Sequence, residues 1–123
     1  MDDRDLAKAA VAEFLGPFAL VMAGVGAIIS TQNLGNGGNL VAVALAHGLA
    51  IALMVGALGV ISGGHFNPAV TVSFLATGRI TALRAGVYIV AQLLGGIAGA
   101  GALTLIFPAL GELGRNNIGV NLG

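Results

Sequence analysis

Residues 62–71 read Ser62-Gly63-Gly64-His65-Phe66-Asn67-Pro68-Ala69-Val70-Thr71, and the Asn-Pro pair in the middle marks a helix start. Asn is a favoured N-cap because its side-chain oxygen accepts a backbone N–H from the first turn. Pro suits the first helical position, where its missing N–H would have been an orphan anyway. Residues 69–75 then continue as a short helix, while Ser62 to Phe66, with its glycine pair, reads as irregular. The whole stretch 62–78, SGGHFNPAVTVSFLATG, is mostly apolar but too short to cross a bilayer. Such a stretch is more often re-entrant or interfacial than spanning. Irregular backbone survives at membrane depth only where it is buried in protein or lines a wet cavity.

The flanks supply the membrane. Apolar segments over about 9–30, 40–61 and 82–107 are each long enough for a span, since a helix needs roughly 20 residues to cross the hydrocarbon layer. Only 8% of the chain is charged and 57% is hydrophobic, whereas a soluble domain carries about 25% charged residues. The 21 glycines suit helices that approach closely in lipid. A net charge of zero favours no nucleic acid or acidic partner, and the lack of Cys removes disulfides, thiolate metal sites and Cys nucleophiles. The expected fold is an all-α membrane protein of three transmembrane helices plus one re-entrant half-helix. The start, MDDRDLAKAA, reads as a short tail before a retained span. TQNLGNGGN reads as a polar turn, and the Pro/Gly/Asn-rich stretch from Pro108 as a surface loop. If 62–78 enters and leaves on one side, Arg4, Lys8, Arg79 and Arg84 share a face and only Arg115 lies opposite. The positive-inside rule then makes that face, with the amino terminus, cytoplasmic.

The half-helix carries the chemistry. The freed carbonyls of Gly63, Gly64, His65 and Phe66 form a ladder of acceptors, and the Asn67 amide nitrogen offers donors at its end. The half-helix turns a partial positive charge toward the same place. Water, which donates and accepts, is served there. A cation loses its hydration shell against a positive dipole, and a water chain turns away from that point, which disfavours proton relay. An ordinary capped helix after a glycine loop is the plainer reading, but it would not sit between full-length apolar spans.

These residues resemble the aquaporin, or major intrinsic protein, family. VISGGHFNPAVTVSF looks like the loop with that family's first Asn-Pro-Ala box (Asn67, Pro68, Ala69). AEFLGPFALVMAGVGA, VALAHGLAIALMVGALG and YIVAQLLGGIAGA resemble its first three spans. The resemblance implies an aquaporin-like half-barrel, with 1–123 as the first of two inverted repeats, Asn67 as one of two facing pore asparagines, and tetramers of independently conducting subunits. A second box, a second repeat and the outer-filter Arg are not in this sequence, so a fragment is the leading expectation; a dual-topology dimer of half-channels runs against the charge bias.

His47, twenty residues before Asn67, aligns with the second-span residue of the family's narrow filter, as in plant vacuolar members. The bland alternative is a His packed between helices and bonded to a backbone carbonyl. His65 is expected at the inner pore mouth or, equally, in local hydrogen bonding only. Glu13, the acidic residue inside a span, must face the bundle interior. The resemblance suggests that it holds the re-entrant loop through loop backbone or His65, with Gln92 bracing the same loop. Thr71 and Ser73 are expected to bond their own helix, and Gly48, Gly56, Gly95, Gly96, Gly99 and Gly101 to pack helices.

The expected function is a passive channel for water, extending to small neutral solutes. A glycerol-type facilitator and half of a secondary transporter with a broken helix are the alternatives, the latter short of coupling carboxylates. No nucleophile–base pair, metal-ligand cluster or phosphate loop points to an enzyme or a cofactor. Expected partners are the lipid bilayer, water or small solutes, and copies of itself in a homotetramer in a plasma or inner membrane.

Overall fold

In the computed structural model, residues 3–33 and 39–108 are described. The centre of the polar turn, the tail beyond Pro108 and Arg115 lie outside them. Four helices follow in chain order: α1 Asp3–Asn33, α2 Leu40–Ser62, α3 Pro68–Ala76 and α4 Ala82–Ile106. Among the described residues there is no strand, and α1, α2 and α4 are long and apolar enough to cross a membrane.

Residues 3–8, read as a tail, are instead the first turns of α1. Leu6, Ala7 and Lys8 are good helix formers, and Asp5 sits where the helix dipole favours negative charge. Pro17 lies inside α1 and can give no N–H to the carbonyl of Glu13 one turn back, yet the helix runs on.

The other boundaries follow local rules. The Asn39 side chain accepts from the Ala42 N–H at 3.0 Å and starts α2. Gly63, at φ 94°, stops it with an N–H to the Gly59 carbonyl at 2.8 Å, the left-handed C-cap that glycine adopts without strain. Asn67 caps α3, its Oδ1 accepting from the Ala69 N–H at 2.8 Å, with Pro68 at the first position. Gly78, at φ 69°, turns the chain toward Thr81, whose hydroxyl caps α4.

α1 is the centre of the assembly. It packs on α2 and on α4, and α3 packs on α4. Glycines set the α1–α4 distance. A Cβ on Gly95 would overlap the Phe14 carbonyl oxygen, and one on Gly99 would lie 3.0 Å from that of Phe18. Partners Phe14–Gly95 and Phe18–Gly99 advance together, so α1 and α4 run parallel. Glu13 meets Ser62 and Gly24 meets His47, so α2 runs antiparallel to α1. The expectation for the glycines needs correction: a Cβ added to Gly48, Gly56, Gly96 or Gly101 would meet nothing within 4 Å in this chain.

Candidate functional site

Between the end of α2 and the start of α3 the chain makes a hairpin whose conformation few residues tolerate. Gly63, Gly64 and Phe66 all have positive φ, at 94°, 66° and 49°. For Phe66 that is a strained state, and two contacts hold it. Its N–H donates to Glu13 Oε2 at 2.7 Å, and its ring lies on Gly16 of α1, where any Cβ would overlap it.

Glu13 ties the hairpin to α1. Its Oε1 accepts from the Ser62 hydroxyl at 2.6 Å and the His65 N–H at 2.9 Å. Oε2 accepts from the Phe66 N–H and, at 2.7 Å, from Gln92 Nε2 on α4. The carboxylate is fully buried, so its desolvation is offset by four donors, as a buried charge requires. Gln92 gives its second amide hydrogen to the Thr71 hydroxyl at 2.9 Å, joining α3 to the same cluster. That hydroxyl lies 3.0 Å from His65 Nδ1 and 3.2 Å from the Asn67 carbonyl. His65 is buried, its ring against Phe74 and edge-on to Tyr88.

A second tie went unread in the sequence. The Tyr88 hydroxyl donates to the Ser62 carbonyl at 2.6 Å and accepts from Arg84 Nε and Nη2 at 2.8 and 2.6 Å. Tyr88 is the sole tyrosine of the chain, and a phenol in an apolar span needs a partner for its polar tip; that was the available signal. Thr71 was read as bonding its own helix. It does, and it also joins the Gln92–His65 cluster, because its backbone position turns it toward α4.

These ties leave one side of the hairpin open. A groove of about 390 Å³ is lined by Leu20, His47, Gly48, Ile51, His65, Phe66, Asn67 and Val70. It brings together four residues singled out from the sequence: His47, His65, Phe66 and Asn67. Gly63, Gly64, Pro68 and Ala69 are not among its walls; they shape the turn and the helix start. Gly16, opposite Phe66, lies thirteen residues into α1, about 20 Å at 1.5 Å per residue. The hairpin therefore sits near the middle of the helix. Asn67 Oδ1 is engaged by its cap, which leaves the exposed carboxamide its N–H donors. Among the described residues no hydrogen bond ends on the carbonyls of residues 63–66. His47 Nδ1 lies 2.8 Å from the Val43 carbonyl; a carbonyl only accepts, so Nδ1 is the donor of that bond.

Known proteins resemble this sequence. The family profile described as "Major intrinsic protein" matches residues 1–122. The chain is 45% identical to Aquaporin TIP4-4 of Zea mays over 117 residues, covering 91% of this chain and 46% of that one. It is 45% identical to Aquaporin-4 of Mus musculus over 122 residues, 94% of this chain and 37% of the relative. Glycerol uptake facilitator protein-like 6 of Lactiplantibacillus plantarum is 45% identical over 101 residues, 82% of this chain and 44% of that one. The chain spans less than half the length of these relatives.

Proposed function

The chain belongs to the major intrinsic protein family, and from that premise we propose that it forms one wall of a passive transmembrane channel for water and small neutral solutes. One observation carries the reading: Asn67 caps a half-helix that begins beside the middle of α1, and its carboxamide lies on an open groove with the His47 ring. A solute in that groove meets the Asn67 N–H donors, the amino-terminal end of α3 and the hairpin at His65 and Phe66. Water exchanges hydrogen bonds along such a path. A cation gives up hydration at a positive helix end and gains no anionic ligand, because the Glu13 carboxylate is turned away and saturated by its four donors.

The opposite wall is a second half-helix of the kind the family repeats, and the working particle is a homotetramer with its amino termini in the cytoplasm. His47 is the filter residue of α2. Asn67, His65 and Phe66 line the passage, and Glu13 and Gln92 hold the hairpin in register.

Stopped-flow swelling of proteoliposomes that hold this chain together with the second wall tests the reading. Water flux should rise well above that of protein-free vesicles, scale linearly with the osmotic gradient and carry no proton current. Saturable, gradient-coupled uptake would point to a transporter instead. In a channel with both walls, His47→Ala should raise permeability to larger neutral solutes such as urea. An unchanged solute range would remove His47 from the filter.

A further inference from the structure

The His47 ring rests on bare backbone. On α1, opposite the ring, stands Gly24, which is buried. A Cβ built there would overlap Nε2 and lie 2.5 Å from both Cδ2 and Cε1. All three atoms belong to the outer edge of the imidazole, so the ring is seated flush against the Gly24 Cα. Its other edge is tethered, Nδ1 to the Val43 carbonyl at 2.8 Å. With one edge tethered to α2 and the other against α1, the ring has the groove as its remaining free side.

We propose that Gly24 is a positioning residue for solute selection: its missing side chain lets the His47 imidazole withdraw against α1 and so sets the width of the passage. This rests on His47 being a filter residue. A methyl at position 24 needs ordinary carbon contacts of roughly 3.5 Å or more, so the ring must move by about 1 Å. α1 is a continuous helix there and cannot yield as a side chain does, so the imidazole moves into the groove. Size selection in a pore follows its diameter and the groups that line it. A narrower passage excludes urea before water, and loss of the Nδ1–Val43 bond would free a donor as well.

The test is a cycle in the same proteoliposomes with four proteins: wild type, Gly24→Ala, His47→Ala and the double variant. Water and urea permeabilities are read from swelling rates. Gly24→Ala should lower the urea-to-water ratio several-fold, and on the His47→Ala background the same substitution should leave the ratio unchanged. A structural role alone would shift both backgrounds alike, and that result overturns the proposal. So does an unchanged ratio in Gly24→Ala when His47→Ala does widen the range. If His47→Ala has no effect, the filter reading fails first and takes this inference with it, a failure of a different pattern. Should Gly24→Ala not assemble, nuclear Overhauser contacts in the wild-type protein decide: Gly24 Hα must lie close to His47 Hδ2 and Hε1, and their absence overturns the seating.

Discussion

Glu13 answers four donors with two oxygens, and three of those donors belong to the hairpin (Ser62, His65 and Phe66). Each donor left unsatisfied in a dry interior costs about 1–3 kcal/mol. Glu13→Ala should therefore cost more than a single lost hydrogen bond, and the loss should reach the site, since the Phe66 φ of 49° then lacks one of its two holds. Thermal unfolding in detergent should drop well below wild type, and water permeability should fall with it. Glu13→Gln keeps an acceptor for one pair of donors and should be intermediate. A variant with wild-type melting and wild-type flux would show that the carboxylate does not hold the loop. Tyr88→Phe is the milder deletion. It removes the hydroxyl that bridges Arg84 and the Ser62 carbonyl, and the expected cost is about 1–3 kcal/mol, read as a lower melting temperature. The sequence pointed to Glu13 because a lone carboxylate in an apolar span must find partners. It could not name Ser62 among them, nor place Thr71 on Gln92, because a hydroxyl fits an apolar helix whether it bonds its own turn or a neighbour.

At the level of elements, glycine spacing predicts less than glycine placement. Gly95 and Gly99 share a helix with Gly96 and Gly101; the Gly95-x-x-x-Gly99 small-residue spacing does pick out the pair that packs, but in a glycine-rich helix such a spacing arises easily. The structure separates them: a Cβ on Gly95 would meet the Phe14 backbone, one on Gly99 the Phe18 carbonyl, and one on either of the other two nothing within 4 Å. Gly95→Ala must push α1 off α4, because the obstacle is backbone and cannot rotate away. Overpacking of this kind costs about 1–3 kcal/mol or more. Gly99→Ala asks for a shift of a few tenths of an ångström and should cost less. Gly96→Ala should be neutral or stabilising in the isolated chain, since alanine is favoured over glycine in helices by about 1 kcal/mol. Melting temperatures should order as Gly96→Ala, wild type, Gly99→Ala, Gly95→Ala from high to low. A Gly96→Ala variant as damaged as Gly95→Ala would contradict the packing described. The start of α3, by contrast, was legible: Asn67-Pro68 fixes it by chemistry local to a few residues, and so can be read without neighbours. The start of α1 was not, because acidic residues at a helix beginning look like a tail until the dipole is considered.

For the whole molecule, the parallel course of α1 and α4 decides where the chain ends up in a membrane. α2 returns antiparallel to α1, the hairpin turns back near mid-helix, and α3 runs from there toward the start of α4. The amino terminus of α1 and the α3–α4 turn thus lie at one end, with the start of α2 at the other. Arg4, Lys8, Arg79 and Arg84 all belong to the first end, and the proposed cytoplasmic placement of that end rests on this excess of basic residues in short segments. Because the chain has no cysteine, single cysteines can report sidedness without a background to remove. Asp5, Leu40 and Ala76 are exposed and take no part in the Glu13 cluster. In sealed cells, a membrane-impermeant maleimide should label Leu40→Cys but neither Asp5→Cys nor Ala76→Cys; in inverted vesicles the pattern should reverse. Two different failures are possible. If all three positions change sides together, the hairpin account stands and the charge argument for orientation falls. If Asp5→Cys and Ala76→Cys label from opposite faces, the stretch between α2 and α4 crosses the membrane completely, and no half-helix can then present Asn67 to a passage from within.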